Sequence, residues 1–175
     1  AQWAQVMSFS AKMVGFGSIR KMRSMDLADE LAETLDSLIA SDSGASIALS
    51  GGSSPIGLYQ DLSKKAIDWH RVKVTLIDDR KVPADHQDSN QLLLKETLFQ
   101  DKAARAKFVS LEEWPINQSP NIGILGMGED GHFASLFPAM LDIDLAFNPE
   151  AKPKVISTAP MGNPKVSRFT MNSVS

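Results

Sequence analysis

Three short stretches of the sequence hold residues whose types and spacing suit chemistry on a small anion. The first is Ser50-Gly51-Gly52-Ser53-Ser54-Pro55. Its glycines let backbone approach a ligand closely, its hydroxyls add donors, and a helix opening at Pro55 would turn its positive end toward the loop. Gly51, Gly52, Ser53 and Ser54 are therefore candidate phosphate-binding residues; a plain Gly-Ser turn capping a helix is the alternative. The Gly-Lys-Ser/Thr ending of a nucleotide loop is absent. The second stretch sets Asp78, Asp79 and Arg80 directly after an apolar run, followed by His86, Asp88, Ser89 and Asn90. Arg80 carries a planar fork suited to phosphate or carboxylate, against the alternative of a solvated charged turn. Asp88 or Ser89 reads as the cap of the next helix. The third stretch is Gly126-Met127-Gly128-Glu129-Asp130-Gly131-His132, ending in Ser135-Leu136-Phe137-Pro138. His132 is the candidate general base, because a neutral imidazole accepts a proton from water. Asp130 or Glu129 could orient it, with helix donors nearby. A structural histidine bonding its own loop is the alternative.

The glycine spacing of the third stretch superficially matches a dinucleotide fingerprint. Pro138 leaves little room for the long helix that such a fold needs, so no dinucleotide is expected. His70, His86 and His132 show no paired metal-ligand spacing, so no metal is expected either.

The elements that must position these loops follow from periodicity. Leu27, Leu31, Leu35 and Leu38 recur at helical spacing over 26–40, with Ser24 or Asp26 as a cap. Apolar runs at 45–49, 72–77 and 122–125 read as strands, each followed by one of the three loops. Helices are expected from Pro55 to about Ser63 and over 90–99. Shorter strands are expected at 107–111, 154–158 and 168–171, with a surface loop around the strand in 147–165. Strands alternating with helices indicate an α/β domain with a mainly parallel sheet, whose ligands bind at the carboxyl ends of strands.

Composition narrows the partners. The chain has 175 residues, enough for one domain with a sizeable core, and a formal net charge of −3. That balance argues against a nucleic-acid surface, though not against a single phosphate. There is no cysteine, which excludes disulfides, thiolate metal sites and cysteine nucleophiles. No apolar run approaches a membrane span, and no signal peptide is expected.

In order along the chain, LSGGSSPIGLY (49–59), DDRKVPADHQDSN (78–90) and LGMGEDGHFASLFP (125–138), with a weaker Arg168-Phe169-Thr170, resemble the 6-phosphogluconolactonases. The resemblance runs from about residue 40 to 171. It implies a Rossmann-like α/β fold of the group that includes ribose-5-phosphate isomerases and CoA transferases, its mainly parallel sheet flanked by helices, as one domain over 1–175. It implies a cytoplasmic enzyme that hydrolyses 6-phospho-D-glucono-1,5-lactone to 6-phospho-D-gluconate in the pentose phosphate pathway, with no cofactor. The small sugar phosphate lactone is then its partner. His132 would activate water with Asp130 beside it, and backbone N–H groups near Gly128–Gly131 would meet the oxyanion. The Gly51–Ser54 loop would hold phosphate with Arg168 and Arg80, and Asp78 would hold sugar hydroxyls. Glucosamine-6-phosphate deaminases share two of the loops, but Ser89-Asn90 and Ala134–Pro138 follow the lactonase form. A deaminase-like isomerase and a non-catalytic sugar-phosphate binder are the alternatives. The sequence departs from the lactonase pattern at Asp79, where Glu is usual, and at Phe133, where Thr is usual. It also stops soon after residues 168–170, where family members continue for roughly another quarter of the domain.

Overall fold

The computed structural model describes residues 4–8, 24–41, 44–115, 117–128 and 131–173. Five strands form one sheet in the order β1 (Ala4–Ser8), β6 (Ile122–Gly126), β2 (Ala45–Leu49), β3 (Val72–Leu76) and β5 (Lys107–Phe108). All neighbours in it run parallel except β1, which pairs antiparallel with β6. The mainly parallel α/β architecture expected from the sequence is the one observed.

The apolar strand residues Ile47, Leu49, Val72, Val74, Leu76, Ile122 and Ile124 are buried in one core with the helices α1 (Ser24–Ser41), α2 (Ile56–Ser63) and α3 (Asn90–Thr97). Helix α1 buries Ala28, Leu31, Leu35 and Ile39, a stripe turned slightly from the all-leucine one expected; Leu27 and Leu38 lie half-buried at its edge. Each fully buried leucine here contributes about 1.5–3 kcal/mol. Ser24 sends its hydroxyl to Asp61 on α2 at 2.9 Å, tying the two helices together. Lys65 and Asp29 form a second link between these regions. Pro55 is the N-cap of α2 rather than its first residue. Ser89 caps α3 as expected, accepting from the amides of Gln91 and Leu92.

Residues 78–80, read from sequence as part of a polar loop, are a strand. β4 (Asp78–Arg80), β8 (Arg168–Met171) and β7 (Val155–Ser157) form a second, antiparallel sheet in the order β4-β8-β7. Charged residues mask strand periodicity here because the pairing comes from a distant part of the chain. One residue joins the sheets: Ile77 donates its N–H to Leu49 in the first (2.9 Å), and its carbonyl accepts from Met171 in the second (2.8 Å). A four-residue helix, α4 (Asp144–Phe147), precedes β7. Phe133, Leu136, Phe137, Met140, Ala146 and Met161 form a smaller cluster away from the main core.

Candidate functional site

Strand β2 has β3 on one side and β6 on the other, so the order in which strands are added across the sheet changes side between β2 and β6, which run parallel. Loops leaving the carboxyl ends of two such strands diverge and leave a crevice, the usual ligand site of an open α/β sheet. The two loops at this point are 50–55 and 127–137. The third expected loop follows β3, through Ile77 and β4, on the same edge.

The first loop is anchored at its start by the Tyr59 hydroxyl, which donates to the Ser50 carbonyl at 2.7 Å. Tyr59 is fully buried, and burial pushes its phenol well above the ordinary range. Gly52 takes φ +91°, a conformation that favours glycine. Among the described residues, none accepts a hydrogen bond from the Gly52 or Ser53 amide. Gly51 is needed for space: a Cβ there would stand 1.9 Å from the Asn90 side-chain oxygen. Asn90 is buried and joins the first two loops. It accepts from Arg80 Nη1 at 2.6 Å and donates to the Asp78 carbonyl at 2.8 Å.

In β4 the three charged residues have different tasks. Asp79 faces the start of α3, where Oδ1 accepts from the amides of Arg80 (2.8 Å) and Asn90 (2.7 Å), and Oδ2 from Gln91 and the Ser89 hydroxyl. Burial raises its pKa, with these donors acting against the rise. A carboxylate one methylene shorter than glutamate thus already meets a full set of donors. Arg80 spends Nη1 on Asn90 and the Asp88 carbonyl, while its Nε is buried without a protein partner. Asp78 is buried, and its Oδ2 accepts a short hydrogen bond from the Ser135 hydroxyl. Through Oδ2 it grips the third loop.

Burial pushes the Asp78 carboxyl above its ordinary 3.8, and the Ser135 hydroxyl, Arg80 and Arg168 offset that only in part. The folded protein then holds a proton that the unfolded chain releases. The resulting contribution to stability is full below about pH 3.8 and is lost as pH rises through the raised folded value. Wild-type Tm minus that of Asp78→Asn is expected to fall as the pH goes from about 3 to 7. A difference that grows over that range would mean that the fold favours the ionised form.

The third loop closes on itself. The Gly128 amide donates to the His132 carbonyl at 2.7 Å and the Gly131 amide to the Gly128 carbonyl at 3.0 Å. These two N–H groups, expected as oxyanion donors, are already spent. Residues 131–137 form a tight turn instead of a helix, so the helix donors expected near His132 do not come from this stretch. Phe133 and Leu136 exchange backbone hydrogen bonds of 3.4 and 2.9 Å around Ala134, which lies at φ +51°. Ser135 clamps this turn to the second sheet: its amide donates to Thr170 Oγ1 (3.3 Å) and its hydroxyl to Asp78. Asp78 and Thr170 stand opposite each other in the β4–β8 ladder. The His132 ring stacks on Phe137 at 4.8 Å between centroids and 26° between planes. Phe133 points elsewhere, edge-on to Phe147 at 6.1 Å. Asp130 and Glu129 lie outside the described residues.

Arg168 stands opposite Arg80 in the ladder and is 4% exposed. Two cations at such a pair repel and favour a nearby anion. Burial, then the Arg80 charge, push the Arg168 pKa down, while Asp78 and Asp79 act the other way. Its Nε donates to the Met161 carbonyl at 3.3 Å, and Nη2 to those of Asn163 and Pro164 at 3.4 and 3.2 Å. It thus holds the 161–164 segment in addition to supplying charge.

The structure brings Arg80, Arg168, Asp78 and the third loop together through β4 and β8, and brings the Gly51 loop to Arg80 through Asn90. Sequence reading missed Asn90, Ser135, Thr170 and Phe137 as members of this assembly. The one usable signal was that each sits in or beside a quoted motif. Among the described residues, no three His, Cys, Asp or Glu side chains gather into a group that could hold a metal ion. No helix among them is long and apolar enough to cross a membrane.

Comparison with known proteins shows the family and the fold. The family model described as glucosamine-6-phosphate isomerases/6-phosphogluconolactonase matches residues 20–121 and 100–174. A protein of Pseudomonas aeruginosa named 6-phosphogluconolactonase is 38% identical over 156 residues, 80% of this chain and 64% of the relative. One of Neisseria meningitidis with the same name is 35% identical, over 79% of this chain and 67% of the relative. The chain therefore spans about two-thirds of the length of these curated relatives. The crystal structure of a 6-phosphogluconolactonase from Shewanella baltica superposes with TM-score 0.72 at 32% identity, covering 85% of this chain and 70% of that one.

Proposed function

Because the chain belongs to the family of glucosamine-6-phosphate isomerases and 6-phosphogluconolactonases, we propose that it hydrolyses 6-phospho-D-glucono-1,5-lactone to 6-phospho-D-gluconate. What supports this reading is that the Gly51–Ser54 loop follows β2 and the His132 loop follows the neighbouring parallel strand β6, with Arg80 and Arg168 opposite each other in the second sheet. The names of the relatives favour the hydrolase over the isomerase.

The lactone is an activated ester, so it needs a more nucleophilic water and little else. His132 accepts a proton as the water oxygen bonds to C1. The same proton passes to the ring oxygen as the C1–O bond breaks, so the imidazole ends neutral and the product carries the new hydroxyl and a carboxylic acid, which releases water's second proton to solvent and becomes the carboxylate. Asp130 is assigned the orienting role from its place in the sequence. The phosphate lies against Gly51, Gly52, Ser53 and Ser54, a glycine-serine loop of the kind that suits an anion, in the field of Arg80 and Arg168. Asp78 serves by keeping the third loop seated through Ser135. The setting of such chemistry is the oxidative pentose phosphate pathway in the cytoplasm.

The test is the disappearance of freshly prepared lactone, with the spontaneous rate subtracted. The protein is expected to accelerate it. Glucono-1,5-lactone without phosphate is expected to be a poor substrate because it lacks the contacts of the Gly-Ser loop. Equal rates on both lactones would remove the phosphate assignment. Ammonia release from glucosamine 6-phosphate would support the isomerase instead. Tight gluconate 6-phosphate binding with no acceleration would make the protein a binder.

A further inference from the structure

The turn that carries His132 also determines what lies beside it. Phe133 and Leu136 face each other across Ala134 and Ser135, so the next residues outward, His132 and Phe137, are cross-strand neighbours whose side chains meet. Phe137 is only 6% exposed, and its ring has close neighbours besides the imidazole. The Arg168 guanidinium lies over it at 5.8 Å from the centroid. Gly162, at φ +71°, comes so close that a Cβ would stand 2.8 Å from Phe137 Cζ and 2.9 Å from Arg168 Nη2. Arg168 in turn fastens that segment through the carbonyls of Met161, Asn163 and Pro164. Buried packing thus runs from Arg168 and the 161–164 segment to Phe137, and ends on the imidazole.

We infer that Phe137 is a positioning residue for His132: its immobilised ring is the platform that fixes the plane of the imidazole, and Arg168 and Gly162 immobilise the ring. The kinetic part rests on the hydrolase reading above; the geometric part does not. A general base works only within hydrogen-bond reach of its proton, and a displacement of about 1 Å costs up to about 10²-fold in rate. An imidazole released from its platform keeps its chemistry and loses its aim. The loss therefore falls on kcat, whereas KM, governed by the Gly-Ser loop and the arginines, stays nearly constant.

The experiment removes the ring in Phe137→Leu. This variant is expected to lower kcat about 10–10²-fold with KM within about twofold. In the NMR spectrum, the His132 imidazole C–H signals are assigned by their absence in His132→Gln. They are expected upfield of those of His70 and His86 in the wild type, and to move downfield in Phe137→Leu as the ring current is lost. Unchanged His132 signals in folded Phe137→Leu, or an unchanged kcat in it, would overturn the inference. Should Phe137→Leu fail to fold, Phe137→Met is read the same way. A wild type that shows the upfield signals but hydrolyses no lactone would sink the hydrolase reading and leave the platform standing.

Discussion

Replacing His132 with glutamine lowers kcat for lactone hydrolysis about 10²–10⁴-fold, the usual share of a general base. Glutamine keeps a hydrogen-bonding group of similar size. The loop around it is closed by backbone bonds, Gly128 to the His132 carbonyl and the Phe133–Leu136 pair, which do not depend on the imidazole. The fold should therefore survive, and Tm should change little while the rate collapses. His70→Gln is the control: His70 lies in a short 3-10 turn before β3, exposed and away from all three loops. Steady-state rates on the lactone for both variants settle the assignment. A His132→Gln protein within a few-fold of wild type would transfer water activation to another group.

Gly51→Ala is expected to damage the protein far more than its one added methyl suggests. The new Cβ would fall 1.9 Å from the Asn90 side-chain oxygen, so Asn90 must leave its place. In leaving, it abandons Arg80 Nη1 and the Asp78 carbonyl inside the protein. A buried group left without its partner costs about 1–3 kcal/mol, and overpacking adds a similar amount. The expected loss is about 2–6 kcal/mol, a fall in Tm of roughly 4–24 °C for a chain of this size. Thermal unfolding of the double variant Gly51→Ala/Asn90→Ala tests the cause. Once Asn90 is shortened, adding the methyl should cost little, so the two changes should be strongly non-additive. Additive losses would mean that the damage lies elsewhere in the loop.

What the sequence made legible was what local chemistry encodes. The leucine spacing of α1, the apolar runs of β2, β3 and β6, and the Ser89 cap each depend on neighbours within a few residues, and each was found where expected. The motifs placed three loops at one edge for the same reason. The second sheet was not legible. Asp78, Asp79 and Arg80 have no strand-like pattern, because what makes them a strand is a ladder to residues 168–170. Ser135 gave no signal within an Ala-Ser-Leu-Phe run, although it joins Asp78 across 57 positions. The roles of Asp78 and Arg168 shifted accordingly: a carboxylate read as a substrate contact is occupied by a serine, and an arginine read as a phosphate contact also holds up a loop. Asp79 looked like a departure, yet its four donors show a capping carboxylate well matched to its place.

The pairing of β4 with β8 also has a bearing on how the site comes into being. Asp78 and Thr170 are partners separated by about ninety positions of chain. Loop closure over such a distance is slow compared with the neighbouring pairing of β2 and β3. The first sheet can form its centre while β8 is still being synthesised, since the chain emerges at about 5–20 residues per second. Until β8 arrives, Asp78 has no opposite strand, Ser135 lacks the Thr170 hydroxyl, and nothing holds the 161–164 segment behind Phe137. The scaffold and the residues that complete the site thus draw on pairings of very different sequence separation: local ones for the central strands, and one distant strand for Asp78 and Ser135.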